Sequence, residues 1–265
     1  MSQQDAPPAQ PLLVEHNGPI KTITFNVPGR KNPVTPDVVQ LMHEAIDATY
    51  TDDSRVVVLT GAGGNFSSGA MLAPGEDPRH LDVTAYLRQQ VNTLIIKMRQ
   101  CPKPFIAQVE GVCVGVGFNY ALACDLIYAS PTAVFSMIFT NIGLSSDGGG
   151  SYHLVQKLGY HRAFELMATG SMIPAEQAHS MGIINHVVPA EQLAAKVQKM
   201  AGRLAQGPYL AIQQTKRNLV EAEEGTLPST LDAEAVNQAV NFKSEDFAEG
   251  IQAFLEKRKP NFKGA

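Results

Sequence analysis

Glu110-Gly-Val-Cys-Val-Gly-Val-Gly-Phe-Asn-Tyr-Ala-Leu-Ala-Cys-Asp125 decides how this chain is read. An apolar run enters a turn built on Gly115 and Gly117, and a helix-like segment follows. Such a turn exposes backbone N–H groups. The Val116 N–H stands at the mouth of the following helix, where the macrodipole adds to a single hydrogen bond. Asn65-Phe-Ser-Ser-Gly-Ala70, earlier in the chain, has the same character. Two such N–H groups converging on one point form an oxyanion hole, suited to chemistry that puts negative charge on a carbonyl oxygen. Taken alone, a Gly-x-Gly turn is equally well read as close packing of a strand against a helix.

Working outward, Ile20–Asn26, Arg55–Thr60, Phe105–Val109 and Leu126–Ala129 read as strands, and Pro33–Tyr50 and residues 84–100 as helices. This alternation implies βαβ crossovers and a largely parallel sheet, hence an α/β fold. Residues 71–83 read as a loop. From about residue 190 only helices follow: Ala190–Ala205, Tyr209–Glu223, Pro228–Asn241 and Ser244–Lys257. The expected organisation is a polar, proline-rich, disordered tail at 1–11, an α/β core at 12–190 and a helical region at 191–265.

Hydrophobic residues at 44% and charged residues at 17% are globular values and argue against disorder. A net charge of −4 argues against nucleic acid or an anionic membrane as the main partner. Cys101, Cys113 and Cys124 lack metal-ligand spacing and read as buried thiols of a reducing cytosol. With no apolar run of membrane-spanning length and no signal-like N-terminus, the expectation is a soluble, cytoplasmic protein. No metal-ligand cluster, Walker loop, dinucleotide fingerprint or nucleophilic triad is visible.

Phe66-Ser-Ser-Gly-Ala70, Gly111 to Asp125 and Ile142-Gly-Leu-Ser-Ser-Asp-Gly-Gly-Gly150 together resemble the enoyl-CoA hydratase/isomerase (crotonase) superfamily. The resemblance continues through Leu166–Ala178 and Gly182–Val188 and ends in Phe254–Phe262. It implies a crotonase-like core of stacked ββα turns, a C-terminal helical region that builds trimers, often paired into hexamers, and an acyl-CoA thioester substrate. It also implies that the N–H groups of Ala70 and Val116 are the oxyanion donors. Phe66, Ser68, Gly69, Met71, Leu72, Gly115, Asn119 and Phe139 would surround the substrate. Lys257, in Glu256-Lys-Arg-Lys259, would meet CoA phosphates, sometimes across a subunit boundary; its plainer reading is a solvated basic tail. No metal is implied, and no cofactor beyond the CoA carried by the substrate.

The departures from the hydratase pattern decide the expected chemistry. Hydratases of the family use two glutamates to hold and activate water, and the matching positions hold Asn119 and Phe139. An amide is no general base, and a phenyl ring transfers no proton. Asp147 remains in register, at a position that is an aspartate in several family members that move protons or attack the ligand. Its plainer reading is a helix N-cap before Tyr152-His-Leu-Val-Gln. An apolar pocket containing Phe118 and Phe139 would raise its pKa. The favoured expectation is a double-bond shift in an enoyl-CoA, with Asp147 as acid and base. The alternatives are an atypical hydratase, an acyl-CoA hydrolase or dehalogenase, and a catalytically silent acyl-CoA-binding protein. The dehalogenase is weakened because Asn92 stands where its base would be a histidine.

Weaker candidates are Glu76, Asp77 and His80 in the loop over the expected acyl pocket. His153 and His161 read as packing or surface residues and His186 as a core histidine. Met71, Leu72, Met137, Ile138 and Phe139 are a tunnel lining only by the resemblance.

Overall fold

The computed structural model describes residues 10–71 and 82–264. Residues 1–9 of the expected tail, and Leu72, Glu76, Asp77 and His80, lie outside the described residues. Gln10 and Pro11 are not part of a loose tail: their carbonyls accept from Asn26, at 3.0 Å from its side chain and 2.8 Å from its backbone.

The chain opens with a hairpin of β1 (Leu12–Asn17) and β2 (Ile20–Phe25), paired antiparallel with Asn17 opposite Ile20. The polar Glu15, His16 and Asn17 hid β1 from sequence reading, because an edge strand facing solvent has no apolar alternation to show. Helix α1 (Pro36–Thr49) follows, its N-terminus capped by the Thr35 hydroxyl. Strand β3 (Val56–Gly61) lies parallel to β2. The expected helix at 84–100 is present in three parts: α2 (Val83–Tyr86), a π-helical turn over Leu87–Val91, and α3 (Asn92–Gln100). The Thr93 hydroxyl takes the Arg88 carbonyl there at 2.9 Å, supporting the widened turn.

The chain continues with β4 (Phe105–Val109), β5 (Val112–Val114), α4 (Val116–Ala123), β6 (Leu126–Ala129) and β7 (Val134–Ser136). Next come α5 (Gly150–Leu158), α6 (Tyr160–Thr169), β8 (Ile173–Pro174), α7 (Ala175–Ser180) and β9 (His186–Val187). The main sheet has the order β1-β2-β3-β4-β6-β9, and a second, small sheet has the order β5-β7-β8. Successive turns of chain thus add one strand to each sheet, β4 then β5 and β6 then β7.

Period-two alternation divides the core between the sheet's two faces. Val57 and Leu59 join one apolar cluster with residues of α1, α3 and α4, and Val56 and Val58 join the other. Helix α8 (Ala190–Ala205) covers that second face with Leu193, Val197 and Ala201. Three further helices, α9 (Tyr209–Glu224), α10 (Leu227–Asn241) and α11 (Glu245–Leu255), complete the chain. No residue of α10 is buried, and Val236, Val240, Ile251 and Phe254 are all exposed. The apolar faces expected of the C-terminal helices therefore divide into one buried on the sheet and one left open.

The amino-terminal ends of the strands are tied by buried charge. Lys21, 1% exposed, reaches Asp52 at 2.5 Å, the Thr49 hydroxyl at 2.8 Å and the Ala45 carbonyl at 3.0 Å. Lys103 meets the same Asp52 carboxylate at 3.0 Å. Burial pulls the Asp52 carboxyl upward, but hydrogen bonds from Lys21, Ser54 and Lys103 outweigh it and hold it well below the usual range. The stability this supplies is present above the unfolded pKa and lost as pH falls below it. Asp52→Asn strands two lysines without counter-charge and should cost about 3 kcal/mol or more. Urea denaturation of the two proteins checks this, and a loss below about 1 kcal/mol would show that the lysines remain adequately solvated.

Candidate active site

Strands β3 and β4 are parallel neighbours; beyond β3 the chain runs through residues 62–68 to the turn at Gly69, and beyond β4 it runs through β5 to the turn at Gly115. The two turns lie side by side. The Phe66 N–H donates to Glu110 at 2.9 Å, that of Ser67 to Val112 at 2.9 Å, and that of Val114 back to Ser67 at 3.0 Å. Ser67 and Cys113 form a parallel bridge. Three residues onward from that pair stand Ala70 and Val116, the two expected donors.

Gly69 has φ +85° and Gly115 φ +58°, conformations that L side chains rarely adopt. A Cβ on Gly69 would lie 2.9 Å from the Val114 carbonyl oxygen, and one on Gly115 would lie 3.7 Å from the Gly69 Cα. The backbones approach because Gly69 has no side chain, whereas at Gly115 the positive φ rather than crowding calls for glycine. The Gly69 carbonyl accepts from Val34 at 2.8 Å and the Met71 N–H donates to Val34 at 3.0 Å. Between them, the Ala70 N–H donates to no backbone group among the described residues. Val116 begins α4, so its N–H has no intrahelical acceptor.

Asn32, which sequence reading passed over, staples the first turn. Its amide donates to Ala62 at 2.9 Å and Asn65 at 2.7 Å, and its oxygen accepts from Val27 at 2.8 Å. Only its polar type hinted at this, since Ala62 and Asn65 lie 30 and 33 residues away in sequence.

Asp147 precedes α5, whose N-cap is Gly149 with no side-chain cap bond. The capping reading of Asp147 is therefore not what the structure shows: its carbonyl accepts from Gly150 at 3.2 Å, while its carboxylate Oδ1 is buried without a partner among the described residues. Burial pushes the carboxyl above its ordinary range. Asn119 holds the turn, its Nδ2 donating to the Asp147 carbonyl at 2.7 Å. Asn119 lies three residues into α4 from Val116, or about 4.5 Å along the axis, so the oxyanion turn and the carboxylate turn share one rigid helix.

The other expected residues divide. Phe139 is buried, its ring 4.0 Å from where a Gly115 Cβ would stand, and Ile138 is equally near. Met71 is half-buried beside the first turn, and Met137 is buried near Gly150. Phe66 lies wholly inside, edge-on to Phe25 at 5.6 Å, and so supports the turn from below. Phe118 packs on Phe135 at 5.1 Å and belongs to the core. The Ser68 hydroxyl bonds the Arg30 carbonyl at 3.3 Å. Lys257 is exposed, at φ 54° just past α11, and the sheet does not bring it to the turns. The tail after it is held near the amino-terminal end of β3, where Arg55 donates to the Lys263 carbonyl at 2.6 Å.

His153 is buried behind the Asp147 turn, and burial, with Arg99 and Lys157, lowers its pKa to about 4. It is neutral at pH 7. His186, expected in the core, is exposed and packs its ring on Tyr128 at 4.7 Å, because β9 is the short edge strand of the sheet. Two tyrosines escaped sequence reading. Tyr86, at the end of α2, has its phenol pKa raised by burial and by the Asp147 charge. Tyr120, next to Asn119, is fully buried. The only signal available was a phenol within the otherwise apolar run of α4.

A family model described as enoyl-CoA hydratase/isomerase matches residues 15–265. The 1,2-epoxyphenylacetyl-CoA isomerase of Escherichia coli K12 is 35% identical over 253 residues, which span 92% of this chain and 95% of that protein. A Rhodobacter capsulatus protein named "Probable enoyl-CoA hydratase" is 38% identical over 226 residues, 84% of this chain and 88% of that one. The crystal structure of an enoyl-CoA hydratase from Polaromonas sp. JS666 superposes with a TM-score of 0.88 at 33% identity, covering 95% of this chain and 99% of that chain. With a crotonase fold, two glycine turns in register and a match over nearly its whole length, the chain belongs to the enoyl-CoA hydratase/isomerase family of acyl-CoA enzymes.

Proposed function

We propose that this enzyme shifts a double bond in an enoyl-CoA, with Asp147 as the single acid and base. The thioester oxygen sits between the N–H groups of Ala70 and Val116, which stabilise the enolate as a proton leaves the α-carbon. Asp147 takes that proton and returns it two carbons further along the chain, to the γ-carbon. The double bond moves, and no atom is gained or lost. Each oxyanion donor is worth about 3–4 kcal/mol in systems where one has been removed.

One observation carries the reading: Asp147, its Oδ1 buried without a partner among the described residues, stands beside an Asn119 already committed to the Asp147 carbonyl. Hydration would need a second carboxylate, and Phe139 occupies that place. Adding one by Asn119→Glu alone should not create strong hydration; turnover of a short 2-enoyl-CoA by the unmodified protein at ordinary enzyme rates would overturn the reading.

Asp147→Asn keeps the volume and the backbone bonds, so the variant should fold normally while its isomerisation of a 3-enoyl-CoA falls by orders of magnitude. Near-wild-type turnover would remove Asp147 from the mechanism. Because burial raises this carboxyl, kcat/KM should fall on the acid side through a pKa above the ordinary carboxylate range. A limb centred at or below about pH 4 would place the base elsewhere.

The exposed apolar faces of α10 and α11 favour assembly into the expected trimer or dimer of trimers, with Lys257 near a neighbouring copy's CoA phosphates. Sedimentation with and without residues 244–265 tests this. A full-length monomer that binds CoA normally would exclude an inter-subunit role for the tail.

A further inference from the structure

Asp147 is followed by Gly148, Gly149 and Gly150, and the three are bare for different reasons. Gly149 has φ +85°, and a Cβ there would make only ordinary contacts, 3.6 Å from His153 and 3.7 Å from Ile95. The other two crowd a single side chain. A Cβ on Gly148 would lie 2.9 Å from Asn119 Nδ2, and one on Gly150 would lie 2.7 Å from Asn119 Oδ1 and 2.6 Å from Ser146 Oγ. Gly150 has no positive φ and begins α5, where alanine would favour the helix. Its backbone conformation therefore gives no reason for glycine; its neighbours do. The chain after Asp147 is wrapped round the Asn119 amide, with a glycine at each end of it.

What the wrapping holds is the Asp147 carbonyl. It accepts from Asn119 Nδ2 at 2.7 Å, from the Gly150 N–H at 3.2 Å and from the Ser146 hydroxyl at 3.3 Å. Gly150 and Ser146 belong to the same turn, so of these three donors only Asn119 ties it to another element. Asn119 is wholly buried on α4, the helix that begins with Val116. The Asp147 Oδ1 meanwhile accepts nothing among the described residues. The residue is gripped by its backbone. That has a chemical consequence, because a donor on the carboxylate would fix it too but would stabilise its ionised form and make it a weaker base.

We infer that Asn119 is a positioning residue, whose amide holds Asp147 by its carbonyl in register with the Val116 N–H of the same helix and leaves the carboxylate free to move a proton. The inference rests on the reading of Asp147 as the base and adds what keeps that base in place.

Asn119→Ala removes the grip and leaves Asp147 in the chain. Isomerisation of a 3-enoyl-CoA should lose about a hundredfold in kcat with KM within about threefold, as for a base displaced by about 1 Å. The effect should vanish without the base: added to Asp147→Asn, Asn119→Ala should cost no more than about twofold further. Gly150→Ala, which keeps the amide but crowds it, should lower kcat in the same way, and it carries the test if Asn119→Ala does not fold. Full kcat in a folded Asn119→Ala protein overturns the inference. So does a rise in KM at unchanged kcat, which would make Asn119 a substrate contact, and so does an equal further loss in the double variant. Hydrogen–deuterium exchange of residues 144–152, read without turnover, separates this inference from the reading beneath it. Exchange should be about tenfold faster in Asn119→Ala than in the wild type. Unchanged exchange condemns the positioning role alone, whereas wild-type turnover by Asp147→Asn condemns the base, and with it the catalytic purpose of the grip.

Discussion

The side-by-side pairing of the Ser67 and Cys113 segments is the constraint on which the site depends. One bridge in parallel register sets the segments leading to Ala70 and Val116 side by side, and the bare backbone of Gly69 lets the first turn approach Val114. A one-residue slip would carry one donor away from the other and turn its N–H aside. Catalysis by oxyanion stabilisation needs donors fixed before charge appears, since donors that must reorganise lose most of their effect. The sheet supplies that rigidity. Strands β3 and β4 deliver the turns from paired neighbours, Asn32 staples the first, and α4 anchors the second.

Charge is sorted along the same strands. Lys21, Lys103 and Asp52 cluster at the amino-terminal ends, and so does Lys216 of α9, which bonds Asp125 at 2.9 Å and the Lys103 carbonyl at 3.0 Å. The Asp125 carboxylate also accepts from the Phe105 N–H at 2.7 Å, fixing the start of β4. The carboxyl-terminal ends, where the turns lie, hold Asp147 with no cation bonded to it among the described residues. That separation leaves burial as the dominant influence on the carboxyl, raising its pKa against a backbone hydrogen bond that lowers it. A lysine beside Asp147 would hold it ionised and make it a weaker base.

Asn119 plays a mechanical part in the structure. Its amide grips the backbone of the residue that carries the remaining carboxylate, and so ties α4 to the start of α5. The three cysteines play no comparable part. Burial drives their thiols up, which keeps them protonated and inert.

The sequence by itself determined the α/β class, the two glycine turns, the four C-terminal helices and the candidacy of Asp147. The first three are local signals, apolar periodicity and glycine where the backbone must turn, whereas Asp147 was singled out by the family resemblance of the run Leu144–Gly150. What only the tertiary structure decided was how distant pieces meet. Sequence reading left Asp147 between cap and carboxylate base, and the fold removed the cap by placing Gly149 there and leaving Asp147 Oδ1 buried without a partner among the described residues. It expected His186 in the core, but an edge strand exposes it. It grouped Phe118 with the pocket, whereas the helix turns that ring onto Phe135. Tyr120 reads as core from the sequence, and only the fold shows that its hydroxyl has no partner among the described residues. Hydrogen-bond satisfaction is a property of three-dimensional neighbours, and no window of sequence contains it.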